Sequence, residues 1–299
     1  MKKKVLGAVF RICRGLLVAG MCFMILQPVL VKLSSSFKSV EDARDSTVQN
    51  IPRRLSLENY VYVSRAISYP ANFLRSLAVV IPGAILQIAA CTLAAYGFAR
   101  FRFPAQNLLF FLVIIIIVTP AQMIASPLYL NFRFFDVFGI FRLITGQPLN
   151  LLNKPISYYL VYATGLGLKG GLYIFIMRQY FLGAPKELEE AAWVDGCGSL
   201  RTFAQIMLPD AMPMITSCFL FSFVWQWADG YYVSLFMPRY GVLANTIGGL
   251  LGEVWNFLTV LNQNRLYTGF LMCIAPPLLV YLFAQRLFVA SLSQTGIKA

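Results

Sequence analysis

Three acidic residues, Glu187, Glu189 and Glu190, stand close together and are the first candidates for chemistry in this chain. Two carboxylates act as general acid and base where their surroundings push their pKa values apart. Their neighbours here predict an exposed helix without an apolar pocket, which argues against catalysis. Histidine, the commonest metal ligand and proton-transfer residue, is absent from the whole sequence. These residues therefore predict neither a metal site nor an acid–base enzyme.

A second pattern, Gly165-Leu166-Gly167-Leu168-Lys169-Gly170, matches the GxGxxG motif letter by letter. A dinucleotide site would need a strand before this motif and a helix after it, within a βαβ unit. The motif lies instead in an apolar run, where glycines favour close helix packing. No GxxxxGK[ST] sequence occurs, so we expect ATP hydrolysis of that kind to reside on another polypeptide.

A third group, Trp225, Gln226, Trp227 and Asp229, ends an apolar run, and two interpretations stay open. The rings could form part of an aromatic belt at the membrane surface. Alternatively, the group lines a solute path, with rings stacking on sugar faces while Gln226 and Asp229 bind hydroxyls. An ionisable residue near a membrane is a functional candidate by default, which gives Asp229 weight.

The composition is that of a polytopic membrane protein. Of the 299 residues, 59% are hydrophobic and 12% charged, and the mean hydropathy is +0.69. A soluble domain carries about 25% charged residues. The net charge of +13 does not indicate nucleic-acid binding, because the Lys and Arg residues stand singly beside apolar runs. The six cysteines form no CxxC pair and are interpreted as apolar packing residues.

The apolar runs predict six transmembrane helices, and basic residues at the N-terminus place that end in the cytoplasm. Residues 34–69, 129–157 and 230–265 are predicted to lie outside as connections, the first of them irregular. The predicted spans cover about residues 15–33, 72–98, 108–128, 158–180, 211–229 and 266–289.

Between the fourth and fifth spans, Pro185–Pro209 predicts two short helices around a glycine elbow. Pro185 suits a first helical turn, and the acidic residues after it favour the positive end of the helix dipole. Leu188, Ala191, Ala192 and Asp195 are spaced to share one helix face. Gly196 is expected to end the first helix in the left-handed conformation. Such a segment between two spans predicts a surface that docks a partner protein.

The spacing Glu190-Ala191-Ala192, Asp195-Gly196 and Leu208-Pro209 resembles the EAA motif of permease subunits in binding-protein-dependent ABC importers. Ala95–Pro104, Thr119-Pro120-Ala121-Gln122 and Thr295–Ala299 are similar to the shorter permease of maltose-type systems. This resemblance covers about residues 72–299 and weakens between Asn131 and Ser157. It implies an all-α fold of six transmembrane helices, the type I importer transmembrane domain, with a cytoplasmic coupling helix.

The resemblance also implies partners: a second homologous permease, two ABC ATPase subunits and an extracytoplasmic solute-binding protein, all at the lipid bilayer, with no cofactor. Glu190, Ala191, Ala192, Asp195 and Gly196 would couple to the ATPases. It divides the chain into a first helix and polar loop (1–71), a transmembrane domain (72–290) with its coupling segment (185–209), and a cytoplasmic tail (291–299). The solute is expected to be a sugar, and glycerol phosphate, a peptide or a polyamine remain alternative solutes. A polytopic membrane enzyme remains an alternative function.

Overall fold

The computed structural model describes residues 2–49, 51–256 and 259–296, and regular structure within these ranges is helical. The exception is one isolated bridge between Phe135 and Leu149. The all-α prediction is confirmed. The helices are α1 (Lys2–Ser36), α2 (Val40–Arg44), α3 (Glu58–Ala66), α4 (Tyr69–Arg100), α5 (Gln106–Val118), α6 (Ala121–Arg133), α7 (Ile140–Thr145), α8 (Pro155–Ala163), α9 (Gly170–Gly183), α10 (Glu187–Val194), α11 (Ser199–Thr202), a π-helical turn (Phe203–Met207), α12 (Leu208–Asp210), α13 (Met212–Trp227), α14 (Gly230–Phe236), α15 (Leu243–Asn256) and α16 (Val260–Gly296).

Three helices are long and apolar enough to cross a membrane: Phe10–Ser36, Tyr69–Arg100 and Val260–Gln285. They correspond to the first, second and sixth predicted spans. Two bent pairs raise the number to as many as five among the described residues. The prediction of six transmembrane helices is therefore not confirmed by helix length and composition.

The third predicted span is bent where its proline falls. Helix α5 ends before Thr119, and α6 begins after Pro120 at an angle of 103° to it. Proline has no backbone N–H, and the residue before it avoids the helical conformation, so the helix breaks at this pair. The pair ending in the fifth predicted span, Ser199–Asp210 and Met212–Trp227, is bent by 74°.

The fourth predicted span consists of two shorter helices. Helix α8 ends at Ala163 and α9 begins at Gly170, and Gly165 and Lys169 between them adopt φ of +75° and +62°. The GxGxxG pattern forms this break. Gly171, one residue further, packs so closely on α5 that an added Cβ would lie 2.9 Å from the Val113 carbonyl oxygen. Gly171 lies outside the GxGxxG pattern, so this contact does not test the close helix packing predicted for the pattern's own glycines.

The predicted external connection over 34–69 contains more regular structure than expected, because it includes α2 and α3. One compact unit comprises Met1–Pro70 and Thr246–Ala275. Within it, the side chain of Lys38 is buried and donates to the carbonyls of Val48 (3.1 Å) and Gln49 (2.6 Å). Asn59 on α3 donates to the Lys38 carbonyl at 2.8 Å. The prediction of an irregular segment over 34–69 was wrong, because buried polar groups organise it.

The other unit, Ala71–Asn245 with Pro276–Ala299, contains all the candidate site residues. Its first apolar cluster joins α4, α5, α9 and α13 and includes Phe203 and Met207 of the π-helical turn. Its second joins α4, α6, α8 and α14 around Tyr158, Tyr162 and Tyr232. The predicted external loop over 230–265 is not a loop throughout, because it begins with α14, which is packed into this second cluster.

Candidate functional site

The glycine elbow ends α10 with a complete Schellman motif. The backbone N–H of Gly196 donates to the Trp193 carbonyl at 3.0 Å, and that of Cys197 donates to the Ala192 carbonyl at 2.9 Å. Gly196 has φ of +80°, which confirms its expected left-handed conformation. These bonds satisfy carbonyls that would otherwise be unpaired at the helix end. The chain is thus turned sharply between α10 and α11 by a fixed backbone geometry.

The exposed surface of the elbow is partly apolar. Trp193 is 53% exposed, Val194 88% and Leu200 84%. Glu190, Ala191 and Asp195 are also exposed, whereas Ala192 is buried. Of Leu188, Ala191, Ala192 and Asp195, which were predicted to share one helix face, only Ala192 is buried. Exposed apolar groups rimmed by charges are typical of a protein-binding surface.

Glu189 is the functional candidate that sequence reasoning missed. Its Oε2 lies 3.1 Å from Arg100 Nε, and its Oε1 accepts a hydrogen bond of 2.8 Å from the Tyr96 hydroxyl. The Arg100 Nε–H is not aligned as a hydrogen bond, so this contact is an ion pair. We call Tyr96, Arg100 and Glu189 the anchor cluster. In the sequence, the signal that could have indicated the burial of Glu189 was its i, i+3 spacing with Ala192, which places both residues on one helix face.

Aromatic rings enclose the anchor cluster. The Tyr96 ring centroid lies 5.7 Å from that of Phe101, 5.4 Å from Phe181 and 4.7 Å from Phe203. Arg100 Nη2 also donates to the Ala184 carbonyl at 2.9 Å, just before α10. The side chains of Arg100 and Glu189 are only 7% and 6% exposed. Removing one partner of such a buried pair costs about 3–5 kcal/mol, because the other charge is left uncompensated.

Three of the four predicted solute-path residues, Gln226, Trp227 and Asp229, are buried. Gln226 is 1% exposed and donates to Gln87 Oε1 at 3.1 Å and to Ser222 Oγ at 2.9 Å. Trp227, 8% exposed, packs on the rings of Phe73 and Phe223 at centroid distances of 6.0 and 5.6 Å.

Asp229 is also buried, and it organises the start of α14. Its Oδ1 accepts a hydrogen bond from the Tyr232 backbone N–H at 2.9 Å, which makes it the N-cap. Its Oδ2 accepts from the hydroxyls of Tyr162 at 3.1 Å and Tyr158 at 3.4 Å. The carboxylate is thus occupied by protein donors.

Trp225, the fourth predicted solute-path residue, is 48% exposed and lines a cavity of about 340 Å³. Both chain breaks described above contribute to this cavity, through residues 116–122 and 166–170. The Lys169 ammonium lies 5.0 Å from the Trp225 ring centroid. The Leu168 carbonyl accepts a bond of 2.8 Å from Gln87, near the middle of α4. Non-helical backbone at membrane depth is tolerated where it lines a cavity or is buried in protein.

The sequence and fold are similar to those of known transport components. Residues 87–294 match the family model described as "Binding-protein-dependent transport system inner membrane component". The alpha-glucoside transport system permease protein AglG of Rhizobium meliloti is 30% identical, over 90% of this chain and 69% of its own length. The osmoprotective compounds uptake permease protein GgtD of Synechocystis is 31% identical, over 81% of this chain and 75% of its own length.

A solved structure shares the fold. It is a bacterial ABC transporter involved in the import of the acidic polysaccharide alginate, matched with a TM-score of 0.74 at 18% identity. The match covers 93% of this chain and 96% of that one. Together with the apolar helices, the family match makes this a multi-pass membrane protein. The chain belongs to the family of inner-membrane components of binding-protein-dependent transport systems.

Proposed function

We propose that this chain is a permease subunit of an ATP-driven importer for a sugar or oligosaccharide, with its N-terminus in the cytoplasm. It would work with a second homologous permease, two ABC ATPase subunits and an extracytoplasmic solute-binding protein. The observation that carries the proposal is the family match over residues 87–294, which includes the whole elbow. The AglG relative, named for alpha-glucoside transport, supports the sugar class.

The elbow is the proposed site of ATPase docking. Trp193, Val194 and Leu200 would enter an apolar groove on the ATPase, with Glu190 and Asp195 forming polar contacts at the rim. Gly196 would hold the turn, and Ala191 would permit close approach by its small side chain. The exposed apolar surface of this segment supports the assignment, since such a patch is otherwise unfavourable in water.

We propose that the cavity beside Trp225 is this subunit's contribution to the solute path. An exposed indole ring can stack on a sugar face, and the Lys169 ammonium can donate to hydroxyl or carboxylate oxygens. Gln226, Trp227 and Asp229 would support this path from behind. Their burial and hydrogen bonds favour that role over direct contact.

Transport would proceed by alternating access. ATP binding would close the ATPase pair, move the elbow and tilt the attached helices, which opens the path to the outside. Both ATP and the loaded binding protein must bind the outward-facing state more tightly than the resting state. A ligand with equal affinity for both states would shift no population.

Co-purification and transport together test this function. The tagged chain, extracted in detergent, is expected to retain two ATPase subunits and a second permease. In proteoliposomes, this complex should import a labelled alpha-glucoside only with ATP inside and binding protein outside. Catalytic turnover by the isolated chain would instead indicate a membrane enzyme. ATP-driven uptake of an osmoprotective compound, but not of alpha-glucosides, would leave the importer standing and contradict the sugar class named first.

A further inference from the structure

We propose that the anchor cluster, Tyr96, Arg100 and Glu189, transmits the displacement of α10 to α4, with Glu189 as its positioning residue. This inference rests on the proposed function, because it requires ATPases that move α10. It concerns a different residue from Glu190, the proposed ATPase contact. Glu189 points into the protein, where it joins the docking segment to a long helix.

The geometry ties α10 to α4 at more than one point. Each carboxylate oxygen of Glu189 contacts a different α4 residue, Oε1 with Tyr96 and Oε2 with Arg100. Tyr96 and Arg100 are four residues apart and therefore lie on one face of α4. Arg100 also binds the Ala184 carbonyl, on the chain entering α10. The last turn of α4 thus holds both the entry to α10 and its first turn.

Burial makes this connection stiff. Tyr96 is 5% exposed, and the charged side chains of the pair are nearly as inaccessible. If α10 moved without α4, a buried charge would lose its partner with little water available to replace it. Moving the two helices together is then the less costly response. Glu187 and Glu190, on the same helix, form no ion pair with any residue that the structure describes.

The other half of α4 reaches the Trp225 cavity. Gln87, nine residues before Tyr96, lies about 14 Å along the helix at 1.5 Å per residue. It donates to the Leu168 carbonyl in the cavity wall and accepts from Ser222 at 2.6 Å and Gln226 at 3.1 Å. The continuous helix α4 therefore connects the docking segment to the proposed solute path. This contiguous chain of contacts is the route that we propose for coupling the two sites, and a measured loss of coupling in a variant is the evidence such a route requires.

The number of solute molecules imported per ATP hydrolysed tests the inference in proteoliposomes containing the whole complex. Glu189→Gln should keep the ATPases bound and hydrolysing while the import-to-hydrolysis ratio falls at least tenfold. Tyr96→Phe keeps the ring packing and removes one hydrogen bond, so a smaller fall is expected. Glu187→Gln is the matched control, an exposed acid on the same helix, and should leave the ratio unchanged.

A role in fold stability alone would have a different signature. Import and hydrolysis would then fall in equal proportion, or the ATPases would dissociate, and the inference would be overturned. An unchanged ratio in both variants would overturn it as well. If Glu189→Gln does not fold, Tyr96→Phe alone decides between these outcomes. Failure of the wild-type complex to import any solute with ATP would instead reject the proposed function.

Discussion

Glu189 and Glu190 are neighbours in the chain but have opposite environments. Glu189 is buried in an ion pair, while Glu190 faces solvent beside Trp193 and Val194. A helix turns by about 100° per residue, so adjacent side chains point in different directions. One acid can therefore hold the segment in place while the other is free to meet a partner.

At the elbow, Gly196→Val and Glu190→Leu should each leave an inserted protein that couples poorly. Valine at the φ of Gly196 would be strained by roughly 1–2 kcal/mol and would distort the turn. Uptake and binding-protein-stimulated ATP hydrolysis should both fall, or the ATPases should be lost during purification.

Gln205→Ala is the control for these two variants. The Gln205 side chain is exposed, and its Oε1 accepts a hydrogen bond of 2.9 Å from Arg201 Nε. Loss of this exposed contact should be tolerated. Wild-type uptake by both elbow variants, with ATPases bound, would show that this segment is not the coupling element.

In the proposed solute path, Trp225→Ala and Trp227→Ala should differ in kind. Trp225 is half exposed over the cavity, so its loss should weaken transport or change solute preference. The lost contact between the ring and the sugar is expected to reduce the binding free energy of the solute by on the order of 1 kcal/mol. Trp227 is packed among aromatic rings, so its loss should destabilise the protein by about 3–5 kcal/mol.

Competition between solutes in the uptake assay and the thermal midpoint in detergent separate the two tryptophan effects. Unchanged solute preference in Trp225→Ala, at normal stability, would leave only the interfacial aromatic belt as an interpretation.

At the level of elements, the packing of α9 on α5 depends on a missing side chain. The Cβ position at Gly171 lies 2.9 Å from a backbone oxygen of α5 and 3.0 Å from Ile117 Cγ1. A backbone atom within a helix cannot rotate away as a side-chain end can. The distance between these two helices is therefore set by glycine.

Gly171→Ala should push α9 from α5 and destabilise the subunit by about 1–3 kcal/mol, as overpacking does. Gly183→Ala, on the same helix, is the matched control, because an added Cβ there meets no atom within 4 Å. The thermal midpoint in detergent should fall for Gly171→Ala only. Equal midpoints for both variants would contradict this close packing.

At the level of the whole molecule, the proposed topology places the elbow in the cytoplasm. Cys197 adjoins the elbow and is partly exposed, whereas Cys91 and Cys218 are buried. With the other five cysteines replaced, a membrane-impermeant maleimide should label Cys197 in inside-out vesicles and not in intact cells. Labelling of intact cells would contradict the proposed orientation. The assay measures only the accessibility of Cys197, so it requires no knowledge of the partner subunits or of the solute.

The sequence by itself determined the all-α class, the elbow and the family. Each depends on local signals: long apolar runs, glycine tolerance of positive φ, and the spacing of the EAA motif. Gly196 is the clearest case, because its conformation follows from its own lack of a side chain. The domain boundaries and the roles of the coupling and solute-path residues remain predictions.

Only the tertiary structure decided which polar residues are buried and what they contact. Glu189 meets Arg100 across 89 positions of sequence, and Gln226 meets Gln87 across 139. Helix periodicity places a residue on a face but does not name the helix that packs against it. Likewise, only folding brings the break at Pro120 and the break between α8 and α9 together, where residues 116–122 and 166–170 line one cavity. Pairings between distant helices depend on how whole surfaces fit together, which no local pattern contains.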